Sequence, residues 1–77
     1  MNEVDKLRVL LPHWIEHNGE HASEFRAWAE RVGASAGPHG PLARDALSAA
    51  ARLLEQANAR LQEALEQIGG PLEHHPE

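Results

Sequence analysis

At 77 residues the chain holds one domain at most, and a fold of that size hides only about 60% of the surface its unfolded chain exposes, so its core alone is marginal. It contains no cysteine, which excludes disulfides, thiolate metal ligands and a thiol nucleophile, so any bound metal must be held by nitrogen and oxygen. With 7 Lys+Arg against 12 Asp+Glu the net charge is -5, which argues against a nucleic-acid or anionic-membrane partner, because both call for a basic stripe.

From its start the chain reads as helix. Val4, Leu7, Leu11, Trp14, Phe25, Trp28 and Val32 recur at steps of three and four, the spacing that gathers side chains onto one face. Asn2 is placed to cap the first turn, Asp5 suits the exposed backbone donors there, and Gly33 is a candidate stop. Pro12 lacks a backbone donor and disfavours helix at Leu11, which predicts a kink, or a short helix over residues 3 to 10 followed by a longer one. Asn18-Gly19 is a turn signal in isolation, but a break there would scatter the apolar face that resumes in register at Phe25, so a continuous helix from 12 to 32 is expected.

Residues 33 to 41, "GASAGPHGP", form a loop on composition, with nothing large to bury. Pro41 suits the first turn of a second helix, expected from about Pro41 to Ile68 with Ala43, Leu47, Ala50, Leu54, Leu61 and Ile68 facing inward. Gly69-Gly70-Pro71 ends it, and residues 71 to 77, with His74 and His75, are expected to be a frayed tail. The architecture expected is therefore all-α: an antiparallel two-helix hairpin over residues 1 to 70, kinked near Pro12. Leu10, Leu42, Leu53 and Leu65 lie beside the inner stripes and want a partner, which makes a homodimer forming a four-helix bundle the expected assembly. The start of the chain shows no charged-then-apolar leader pattern and no apolar run approaches the roughly 20 residues that span a bilayer, so a cytoplasmic protein is expected.

Within the first helix, "HWIEHNGEH" sets His13, His17 and His21 four residues apart. At about 100° per residue the apolar face is centred on Leu7, Asn18 and Phe25, with His21 about 40°, His17 about 80° and His13 about 120° from that centre. Histidines four apart on a helix can reach one ion, which makes His17 and His21 the leading metal-ligand pair. His13 is too far along the axis from His21 for one ion to take all three, while Glu20 and Glu24 can act as oxygen ligands or as acceptors that fix an imidazole tautomer. The bland alternative is a solvated His-Glu helix edge, with Asn18 in mid-stripe only specifying register.

The stretch "LRVLLPHWIEHNGEHASEFRAWAE" resembles a prokaryotic family of short helical domains carrying His-Trp-x-Glu-His-Asn-x-x-His followed by an aromatic and Trp-Ala, and "AARLLEQANARLQEALEQIGG" resembles that family's second helix. The resemblance implies that His13, Trp14, Glu16, His17, Asn18, His21, Phe25 and Trp28 are signature positions and that the domain is metal-associated; it implies no particular activity. Gly19 stands where a helix-former would be expected.

Borderline nitrogen and oxygen ligands suit Ni(II) or Zn(II) first, then Co(II) or Cu(II). The leading expectation is thus a small metal-binding protein for storage, delivery or sensing, acting as a homodimer or handing metal to a trafficking or metalloenzyme partner protein. The alternative is a metal-free helical interaction or dimerisation module. A di-iron or haem redox role is disfavoured because the second helix has no histidine. Ser23, Ser35 and Ser48 have no histidine placed to activate them, so no catalytic residues are assigned and the chain is not expected to be an enzyme.

Overall fold

The computed structural model describes residues 2–35 and 37–72. It has two helices, α1 (Glu3–Ser35) and α2 (Gly40–Gln67), packed against each other along their length as an antiparallel hairpin. Asn2 caps α1, its side-chain Oδ1 accepting the Asp5 backbone N–H at 2.8 Å, with Glu3 and Asp5 set against the positive end of the helix.

Helix α1 passes through Pro12 as one element rather than dividing into a 3–10 segment and a second helix. The missing proline N–H leaves the Arg8 carbonyl without its helical donor, and the backbone N–H of Leu72 takes that place at 3.2 Å. The Arg8 side chain then reaches the other way: Nε donates to Gly70 O at 2.7 Å and Nη2 to Gly69 O at 3.4 Å, placing a cation on the carbonyl end of α2. A tail was expected from residue 71, but Leu72 belongs to this clasp; residues 73 to 77, with His74 and His75, lie outside the described residues.

The end of α2 is a Schellman closure. Gly70 N–H donates to Leu65 O at 2.8 Å and Gly69 N–H to Glu66 O at 3.3 Å, which requires the left-handed backbone that Gly69 adopts at φ 106°. Gly33, expected to stop α1, lies inside it. A Cβ there would sit 2.9 Å from Arg44 Cδ, so the glycine makes room for the arginine stem crossing from α2.

The seam differs from the stripe that bulk suggests. Leu11, Ala22 and Ala29 are the buried residues of α1, with Ile15, Asn18, Phe25 and Val32 half-buried among them. This is an alternation of three and four sustained over the helix, the mark of a left-handed coiled-coil seam. Trp14 and Trp28, placed by sequence in the inner stripe, are 40% and 54% exposed. The small alanines bring the helix axes close and push the large rings onto the flank. On α2, Ala51 and Leu65 are buried, so Leu65 belongs to the core and not to the flank; Ala43, Leu47, Ala50, Leu54, Leu61 and Ile68 are half-buried as expected. Register is fixed in mid-seam by Asn18, whose Nδ2 donates to Asn58 Oδ1 at 3.0 Å, while Asn58 Nδ2 donates to Ile15 O at 2.9 Å. Among the described residues no helix is long and apolar enough to cross a membrane.

Candidate metal centre

Four rings stand in a ladder along one side of α1. The centroids of His13 and His17 are 6.5 Å apart, those of His17 and His21 4.5 Å apart, and those of His21 and Phe25 6.0 Å apart. The ladder follows from the sequence: residues four apart stack one above the next on a helix, and their side chains tilt toward its N-terminus. His21 is the most sheltered of the three imidazoles, being half-buried, whereas His17 and His13 are exposed.

Of the ring pairs in this ladder, His17 and His21 are the closest, with their planes at 60° to each other. Glu24, one turn on, lies 3.3 Å through Oε1 from His21 Nδ1. With Nδ1–H donating to that carboxylate, Nε2 carries the lone pair available to an ion, the arrangement usual for histidine ligands whose second nitrogen is held by a carboxylate. Glu20 is exposed on the same side, and His13 is the next rung beyond His17. Among the described residues no group of three or more His, Asp or Glu side chains is gathered closely enough to hold a metal ion. One chain therefore brings together a two-imidazole pair with an adjacent carboxylate, and leaves His13 and Glu20 on its margin.

Asn18 does not reach an imidazole. Its amide is bonded to Asn58 across the seam, so it sets register and not ring orientation. On the same flank as the histidines stand Leu7, Leu10, Trp14 and Trp28, exposed by 38%, 41%, 40% and 54%, with Arg31 covering the Trp28 ring at 4.8 Å. Leu53, 64% exposed, follows on α2, beside a shallow surface depression lined by Gln56, Ala57, Ala59, Arg60 and Glu63. The other flank carries the Arg26–Glu55 ion pair at 2.6 Å. Sequence reading missed Arg8, whose role depends on the carbonyl that Pro12 frees, and it missed Phe25 as the ring under His21, although the four-residue spacing was there to show it.

Fold and side chains together define an antiparallel α-hairpin with His13, His17, His21 and both tryptophans on one side of α1. The chain belongs to the family described as "Domain of unknown function (DUF8180)", whose model matches residues 7–68. No curated protein and no solved structure matches it.

Proposed function

We propose that this hairpin is a transition-metal-binding protein in which His17 and His21 supply two imidazole ligands to Zn(II) or Ni(II), used for storage, delivery or sensing of the ion. The observation that supports the reading best is the 4.5 Å approach of the two rings on an exposed helix turn, with Glu24 beside His21. Water or a carboxylate completes the ion's coordination, since zinc and nickel accept mixed nitrogen and oxygen sets. Glu24 orients His21, and His13 and Glu20 form an outer margin that can receive an ion in transit.

An ion held only by the folded pair raises the melting temperature. Calorimetric titration of Zn(II) and Ni(II) into the full chain carrying His74→Gln/His75→Gln tests this. Adding His17→Ala/His21→Ala should abolish the heat of binding and the thermal shift. Undiminished binding by that variant would reduce the ladder to a polar helix edge.

A second reading, a metal-free association module, is favoured by a different observation: both tryptophans and Leu7, Leu10, Leu42 and Leu53 are exposed. Sedimentation with chelator present separates the two readings, since association that ignores metal favours the second.

A further inference from the structure

The exposed row on α1 has its own repeat. Leu7, Trp14, His21 and Trp28 recur every seven residues, so in a helix that follows the heptad seam they stay in line along one flank. The next row outward is Leu10, His17, Glu24 and Arg31. Both rows are self-complementary when reversed about His21. In an antiparallel pairing centred there, Trp14 meets the partner's Trp28, Leu10 meets the stem of the partner's Arg31, and His17 comes level with the partner's Glu24. No cation faces a cation and no carboxylate faces a carboxylate.

The molecule also has the area such a pairing needs. Its accessible surface is 5731 Å², whereas a compact monomer of its mass exposes about 4,700 Å²; the excess of about 1,000 Å² is close to the roughly 800 Å² that each partner gives to a stable interface. The radius of gyration, 16.8 Å against roughly 11.5 Å for a compact domain of this length, reflects the elongation of the helix pair, 53 Å in its longest extent, which lays much of its surface along the helix flanks.

We propose that a second copy of this chain docks antiparallel on the Leu7-Trp14-His21-Trp28 row, with the two-fold axis at His21, so that each ion held by His17 and His21 of one copy takes Glu24 of the partner as its third protein ligand. The docking face stands on the apolar rows and surface area alone; the shared ligand rests on the metal reading proposed above. Two imidazoles, one carboxylate and water make a tetrahedral set with an open position, the arrangement of exchangeable zinc sites rather than closed structural ones.

Because the chain has no native cysteine, single-cysteine variants report the docking without metal. In oxidised glutathione, His21→Cys should link into a covalent dimer and Ser23→Cys, on the other side of α1, should not. Native protein should sediment as a dimer and take up one zinc per chain. Glu24→Gln should weaken zinc binding at least tenfold more in the native background than in Trp14→Glu/Trp28→Glu, where only its contact with His21 of its own chain is lost; the double variant keeps its helicity because neither indole is buried. An equal effect of Glu24→Gln in both backgrounds would return Glu24 to a role within its own chain and overturn the shared ligand. Zinc bound by a monomeric native protein overturns the proposal and leaves the metal reading standing. A covalent dimer of the His21→Cys variant, together with native protein that takes up no zinc, upholds the docking face and overturns the metal reading along with the shared ligand.

Discussion

Along one flank of the hairpin, Arg26 of α1 reaches Glu55 of α2 across the seam, and the same heptad row of α1 otherwise holds Asp5, Pro12, Gly19 and Gly33. Along the other, Leu7, Trp14, His21 and Trp28 hold the equivalent heptad positions, and the matching row of α2 offers only the short side chains of Ala50, Ala57 and Ala64. The same repeat thus creates two unlike edges. On the first, charge is paired within the chain and the largest space-filling groups are absent. On the second, rings and leucines project past the alanines and stay exposed, with Arg31 lying over the Trp28 ring. A core of alanines brings the helices together closely, and this close approach is what pushes the aromatic rings out to where a ligand or a second chain can meet them.

The sharpest way to break this contrast is to charge the apolar flank. Trp14→Glu/Trp28→Glu removes two large exposed anchors, and sedimentation should show self-association weakened thirtyfold or more, an effect of about 2 kcal/mol, with the helical circular dichroism unchanged. The next largest effect lies in the seam shared by both flanks. Asn58→Ala strips Asn18 of its acceptor, and an unpaired half-buried amide should lower the unfolding free energy by about 1–3 kcal/mol in urea titration. The polar flank can also be improved. A Cβ at Gly19 meets no atom within 4 Å, so Gly19→Ala should raise stability by about 0.5–1 kcal/mol through helix propensity, without altering association or zinc uptake. Smallest of all is Arg26→Ala: the pair it breaks is about half exposed on both sides, so the loss should be about 0.2–1 kcal/mol and should shrink as salt is added.

The hairpin was legible in the sequence because its signals are local: the asparagine cap, the Gly-Pro-rich connection, the paired glycines at the end of α2 and the inner positions of α2 all act within a turn or two. Asn18 could be read as a paired polar residue for the same reason, since an amide in an apolar stripe must find a partner. The rotation of α1 about its axis was not legible from residue size. Trp14 and Trp28 look like core by bulk, yet the seam is chosen by how closely the axes approach, and Ala22 and Ala29 decide that. The clasp between Arg8 and the Gly69–Leu72 stretch was hidden for another reason: it joins the two ends of the hairpin's chain, and its trigger is a hydrogen bond that Pro12 fails to make. The histidine ladder was legible as spacing, and its order of shelter, His21 before His17 and His13, follows from the same wheel. What lies outside any single-chain pattern is the set of groups that would complete an ion's coordination.

The measurement that bears most directly on the proposed chemistry is nitrogen-resolved NMR of the six imidazoles during zinc titration of the full chain. Binding at His17 and His21 predicts that their ring nitrogens shift first and saturate together, with His21 coordinating through Nε2 while Nδ1 remains turned to Glu24, and with His39 in the connection unmoved. If His39 and the histidines near the end of the chain respond first, or all six drift weakly and in parallel, the pair on α1 is not a metal site.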